Sequence, residues 1–219
     1  MQPKEFSSEV KQGKRFEFGQ NWKSFLEKID EERVRISEAA LLRMLNLENL
    51  NNLTFVDVGS GSGLSSLAAR NLGAIVVSFD YDDNSVWCTR ALKEKFYVDD
   101  ENWSIRQGSA LDTKFMGSLN QFDIVYSWGV LHHTGKMWAA IDNCIELVKS
   151  NGMLFIAIYN DQGFKSHIWW IIKWIYNKLP KFLQKPYCLS AHFLITFLMI
   201  IKYSIKLRPM KIIQPIFNY

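Results

Sequence analysis

Phe55-Val56-Asp57-Val58-Gly59-Ser60-Gly61-Ser62-Gly63-Leu64 is the stretch on which the fold turns. An apolar, β-branched run stops beside an acid. Three glycines follow at alternate positions, and a helix-like segment, Leu64 to Leu72, comes next. This reads as a strand, a tight turn and a helix N-terminus. Glycine lets the turn adopt positive φ and lets a ligand approach bare backbone. The helix start adds unpaired N–H groups and a positive dipole end. A turn built this way cradles a nucleotide-like ligand. A dinucleotide turn spaces its glycines G-x-G-x-x-G and seats a pyrophosphate on the helix N-terminus. Here the third glycine comes one residue early, and Asp57 stands two residues before the first. A carboxylate there repels a pyrophosphate and suits a ligand carrying an ammonium group.

Outward from the turn, strands and helices alternate. Leu53–Val58, Ala74–Phe79, Trp103–Gln107, Phe122–Ser127 and Gly152–Tyr159 read as strands, with helices at 64–72, 83–96 and 137–149. Residues 22–46, with Leu41, Leu42 and Leu45, read as a leading helix. The alternation predicts an α/β fold: a Rossmann-like, doubly wound parallel sheet with right-handed crossovers and order 3-2-1-4-5. The ligand crevice is then expected at the carboxyl ends of strands one and four. The expected organisation is a lid and helix over 1–46, a nucleotide-binding domain over 47–160, and a basic, apolar helical appendage over 161–219.

The acid-preceded turn resembles motif I of the class I S-adenosylmethionine-dependent methyltransferases, D/E-x-G-x-G-x-G. The likeness covers about residues 14–160 and is to small-molecule members of types 11 and 12, such as bacterial quinone- and sugar-modifying enzymes. It implies S-adenosylmethionine as cofactor and a small or lipid-like methyl acceptor. By that likeness Asp57, Gly59, Ser60, Gly61 and Gly63 line the turn and hold the methionine end. Asp80, at the end of the second strand, binds the ribose diol, where charge-assisted bonds contribute ~1.5–3 kcal/mol each. Tyr81 packs beside the nucleoside or is a loop aromatic. Ser109, Ala110 and Asp112 border the adenine, although Asp112 serves equally well as a helix N-cap. Ser127 and Trp128 border the methionine half, while Asp123, at the start of the same strand, is expected to be structural.

His132 and His133 are adjacent. No Cys, Asp or Glu stands at ligand spacing from them, so no metal is expected. An imidazole there is a candidate base for a hydroxyl or amine acceptor, worth ~10²–10⁴-fold; the alternative is packing. Arg15–Trp22, with Phe16 and Phe18, reads as a lid over the cleft or as simple packing.

Charge divides the chain. Residues 1–160 carry 17 Lys/Arg against 21 Asp/Glu, and residues 161–219 carry 9 against Asp161 alone. That segregation argues against a nucleic-acid binder. The apolar run Pro186–Ile201 has 16 residues between Lys185 and Lys202, short of the ~20 needed to cross a bilayer. A cap over a greasy acceptor, a membrane-surface element and an ordinary helical subdomain remain open for 161–219. The polar N-terminus and three dispersed cysteines, Cys88, Cys144 and Cys188, suit a cytoplasmic protein, with peripheral membrane contact through the tail as an option. Class I methyltransferases usually end in a two-stranded hairpin, and no convincing pair follows Asn160. Two other functions are kept: a cofactor-binding protein without turnover, because the end of the fold is missing, and, from the glycine turn, an NAD-dependent oxidoreductase.

Overall fold

The structure, a computed structural model, describes Leu26 and residues 29–205. The Arg15–Trp22 lid expectation and most of the leading segment lie outside the described residues. The chain divides into two compact units, Met1–Tyr159 and Asn160–Tyr219.

The first unit opens with α1 (Glu31–Leu45), whose N-cap Asp30 accepts from Arg33 N–H at 2.8 Å and whose C-cap Asn46 is left-handed. There follow β1 (Thr54–Val58), α2 (Leu64–Asn71), β2 (Ile75–Asp80), α3 (Asp83–Phe96), β3 (Trp103–Gln107), α4 (Thr113–Gly117), β4 (Phe122–Trp128), a 3-10 turn (Leu131–His133), α5 (Met137–Ile145) and β5 (Val148–Ala157). All strand pairs are parallel and the order is β3-β2-β1-β4-β5, as the alternation predicts. The inner strands read as near-continuous apolar runs because both faces of such a sheet are covered. Alternate residues part to the two sides: Phe55 and Tyr126 join Leu41, Leu67 and Leu92 in one cluster, while Val56, Val58 and Val125 join Met116, Leu131 and Ile141 in the other.

The fifth strand departs from expectation. The helix expected over 137–149 stops at Ile145, and β5 begins at Val148 rather than Gly152. The register with β4 jumps from Phe122↔Val148 to Ile124↔Met153, a bulge of extra residues on β5. Gly152 sits in that bulge, where a Cβ would lie 2.8 Å from Phe122 O and 2.9 Å from Asp123 O. Among the described residues no strand follows β5.

The second unit contains α6 (Phe164–Lys178) and α7 (Lys181–Ile205). Tyr187 Oη donates to Ile172 O at 3.2 Å, and Gln184 Nε2 donates to Leu179 O at 3.2 Å, so the two helices form a hairpin. The helix carrying the 16-residue apolar run is longer than that run. Lys181–Ile201 is long and apolar enough, by length and composition, to cross a bilayer, which removes the length argument against it.

Candidate cofactor and active site

The parallel sheet brings the turn after β1, the end of β2, the loop after β3 and the end of β4 to one edge. The β1 turn is held by main chain. Gly59 and Ser60 N–H both donate to Phe79 O, at 2.9 and 3.1 Å, and Gly63 N–H donates to Ser60 O at 2.8 Å. Gly59, Gly61 and Gly63 have φ of 81°, 55° and 82°. At Gly59 a Cβ would lie 2.4 Å from Val130 Cγ1, and at Gly63 one would lie 2.9 Å from Thr89 Cα. The glycines have the positive φ read from the sequence, and the close neighbours at Gly59 and Gly63 are the protein's own Val130 and Thr89. Ser60 Oγ lies 3.0 Å from Thr89 Oγ1.

Asp57 is 2% exposed. Its Oδ2 accepts from Ser66 Oγ at 2.6 Å, Ser66 Oγ accepts from Ser78 Oγ at 2.7 Å, and Ser78 Oγ accepts from Trp103 Nε1 at 2.8 Å. This chain of bonds ties β1 to α2, β2 and β3. The sequence reading aimed Asp57 at the ligand; the structure engages it with Ser66 on α2 instead, because Ser66 lies above β1 in the first turns of that helix. Burial pushes the Asp57 carboxyl up to about 7, against the lowering effect of Ser66.

Asp80 closes the turn from the side. Its Oδ2 accepts from Gly61 N–H and its Oδ1 from Asp82 N–H, both at 2.9 Å. Burial pushes this carboxyl up to about 6. Each oxygen retains acceptor capacity beyond one N–H, so the group can still meet a diol. Tyr81 follows it, half-buried. In the β3 loop, Gly108 N–H donates to Asp80 O at 3.0 Å. Ser109 is buried and its Oγ accepts from Leu111 N–H at 3.2 Å. Ala110 is buried, with its carbonyl accepting from Asn143 Nδ2 at 2.8 Å. Asp112 takes the structural option left open in the sequence: its Oδ1 caps α4 through Lys114 and Phe115 N–H at 3.0 and 3.1 Å.

On β4, Ser127 is fully buried and donates to Val58 O at 2.9 Å, locking the ends of β1 and β4 together. Trp128 is partly exposed and stacks on Phe155 at 6.1 Å between ring centroids. Asp123, at the opposite end, accepts from Thr54 N–H and Oγ1 at 2.8 and 2.6 Å and pairs with Lys149 at 2.8 Å. Those partners hold it down at about 2, so it is structural as expected.

Val130, which fills the space over Gly59, leads directly into the 3-10 turn carrying both histidines. The His132 and His133 rings lie 4.0 Å apart between centroids, and Tyr159 lies 4.7 Å from His132 and 6.0 Å from His133. Both ring nitrogens of His132 are buried without a hydrogen-bond partner among the described residues. Burial lowers the pKa of each imidazole, and the neighbouring ring lowers His133 further. Thr89, Val130 and Tyr159 belong to this site and sequence reasoning missed them. Thr89 and Val130 carry no chemical signal; Tyr159, an aromatic just beyond the fifth strand, was the one with a legible position.

Among the described residues no cluster of His, Cys, Asp or Glu fits a metal ion. A cavity of about 470 Å³ lined by Arg90, Lys93, Asp100, Glu101 and Trp103 opens near the start of β3. Two of its polar groups have partners in the fold: Asp100 accepts from Arg70, and Lys93 Nζ donates to the carbonyls of Asp100 and Trp103.

Sheet order, glycine turn and strand-end acid together define a Rossmann-like nucleotide-binding domain, whose early third glycine departs from the dinucleotide spacing. Residues 56–156 match the family model described as a methyltransferase domain. This part of the chain is therefore similar to the methyltransferase domains of the class I, S-adenosylmethionine-dependent kind. A ubiquinone biosynthesis O-methyltransferase of Glaesserella parasuis is 28% identical over 150 residues, covering 64% of this chain and 63% of the relative. One from Coxiella burnetii is 30% identical over 128 residues, covering 58% and 52%. The chain thus spans between about half and just under two thirds of these curated relatives. Among solved structures, a candidate S-adenosylmethionine-dependent methyltransferase of Methanococcus maripaludis superposes with a TM-score of 0.56 at 17% identity, over 73% of each chain. A candidate methyltransferase of Bacillus halodurans gives 0.51 at 18%, over 62% of this chain and 58% of that one. At such identities the likeness concerns the fold alone.

Proposed function

We propose that the chain transfers a methyl group from S-adenosylmethionine to an oxygen of a small, lipid-like acceptor. The observation that carries this reading is the convergence of the bare glycine turn, the Asp80 carboxylate and the two unpartnered ring nitrogens of His132 on adjoining segments at one end of the sheet. These residues fit the cofactor. The turn holds three glycines at positive φ beside a strand-end acid, and Asp80 keeps acceptor sites for the ribose diol. Ser109 and Ala110 border the adenine side, and Ser127 and Trp128 the methionine side. The relatives named O-methyltransferases of ubiquinone biosynthesis support the acceptor class.

When bound, the cofactor supplies an electrophilic methyl on a positively charged sulfur. The protein's part is then to align an acceptor oxygen behind that methyl and to remove its proton. Alignment alone accounts for much of the rate when the reacting atoms are held in line. His132 is neutral near pH 7 because burial opposes its charging. One of its nitrogens accepts the acceptor's hydroxyl proton as the new O–C bond forms. Tyr159 and His133 pack against the His132 ring and fix its plane. The test is incubation with methyl-labelled S-adenosylmethionine and a cell extract, followed by phase separation. Label in the organic phase is expected. Label confined to the aqueous phase overturns the lipid-like acceptor, and absence of label overturns turnover in favour of a binding protein.

A further inference from the structure

The α6–α7 hairpin has more apolar surface than its own packing uses. On α6 the stripe Ile172, Ile175, Tyr176 and Leu179 is half-buried, consistent with its hydrogen bonds to α7. Trp170 and Trp174 fall on the opposite side of the helix and are exposed, Trp170 at 61%. On α7 the half-buried residues are Gln184, Tyr187, Ala191, Ile195, Thr196 and Met199. Leu189, Phe193 and Phe197, spaced four apart, form a separate exposed stripe, with Leu189 at 71% and Phe193 at 75%. A helix apolar all round belongs in a protein core or in lipid. The charges decide between these. The tail carries nine Lys/Arg and one acid, and Lys178, Lys181 and Lys185 gather where the two helices meet. A protein core does not seat three lysines without acids; an anionic lipid surface does. Tryptophans are also enriched at the headgroup level of bilayers.

We propose that the α6–α7 hairpin is a docking element for the surface of a bilayer rich in anionic lipid. It lies at the interface, with Phe193 and Phe197 among the acyl chains and Trp170, Trp174 and the lysines at the headgroup level. A basic bend argues against insertion of the hairpin tip first, since three lysines would have to enter hydrocarbon. This reading is independent of methyl transfer.

The test is co-sedimentation of the full chain with vesicles of phosphatidylcholine alone and with phosphatidylglycerol added. Binding to the anionic vesicles is expected, with a blue-shifted tryptophan emission and loss in high salt or alkaline carbonate. K178E/K181E/K185E is expected to lose the anionic preference by about tenfold or more, and F193D/F197D to lose binding while circular dichroism stays unchanged. Asp80→Ala is expected to abolish S-adenosylhomocysteine binding and leave vesicle binding intact, which separates this proposal from the catalytic one. Three results overturn it: equal binding to neutral and anionic vesicles, retention after alkaline carbonate, which means that α7 spans the bilayer, or no vesicle binding together with a dimer in solution, which means that a second copy covers the apolar face.

Discussion

Replacing Gly59 by alanine tests the turn at its tightest point. The residue sits at φ 81°, where an L side chain carries roughly 1–2 kcal/mol of strain. Its new methyl would stand 2.4 and 2.6 Å from the two methyls of Val130 and 2.9 Å from Val130 Cβ. Relieving such an overlap in a packed site costs about 1–3 kcal/mol. Gly59→Ala is therefore expected to lose about 2–5 kcal/mol, a large part of a typical domain's stability. The two contributions can be separated. Val130→Ala in the Gly59→Ala background removes the two closest contacts, so the double variant should be more stable than the sum of the single losses implies. The φ strain remains, and so does part of the deficit. Urea unfolding followed by circular dichroism measures the stabilities, and calorimetry with S-adenosylhomocysteine measures the consequence for binding. An alanine variant that unfolds with wild-type urea dependence and binds within twofold of wild type would refute the reasoning.

Three further outcomes follow from the charged and titratable groups. The Asp57 carboxyl is raised from 3.8 to about 7 by burial, so folding takes up a proton between those values and stability falls as pH rises from about 4 to about 7. The full effect is at most roughly 4 kcal/mol; Asp57→Asn should remove this share and leave the fall due to Asp80, which ends near pH 6, and parallel profiles would show that Asp57 is not the group responsible. Asp123 is held at about 2 by Lys149 and Thr54, so its contribution is present above pH 4 and lost as pH falls toward 2. Because Lys149 is substantially exposed, Lys149→Met should cost less than about 1 kcal/mol, and a loss above about 2 in thermal or urea unfolding would contradict that. His132→Ala should slow label transfer about 10²-fold or more with cofactor affinity unchanged, whereas a drop under threefold would remove His132 as the base.

The first four strands and their order were legible because each inner strand is an apolar run between polar turns, and because a parallel sheet leaves few topologies. The place of Asp80 at a strand end beside the glycine turn was legible as well, but its bonds to the N–H groups of Gly61 and Asp82 were not. The start of β5 was not. Val148 and Lys149 read as the end of a helix and Gly152 as the first strand residue, and only the Lys149–Asp123 pair and the backbone of Phe122 against Gly152 explain why the chain is already extended at Val148. Asp57 could be read as important but not as buried, because its partner Ser66 looks in sequence like an ordinary helix serine. Thr89 and Val130 lie against glycines 26 and 71 residues away, a proximity that no local pattern encodes. Asp112 shows the converse limit: the sequence supplied both of its options, and the hydrogen bonds to Lys114 and Phe115 show the N-cap.

The central claim is that this turn and its facing acid hold an S-adenosyl nucleoside. Titration calorimetry of the full chain with S-adenosylhomocysteine, repeated with Asp80→Ala and with NAD as the competing ligand, tests it most directly. The account predicts one-to-one binding by the wild-type chain, at least about a hundredfold loss in the variant, and no heat with NAD. Binding of NAD in place of the thioether, or an Asp80→Ala chain that binds S-adenosylhomocysteine as tightly as wild type, would contradict it.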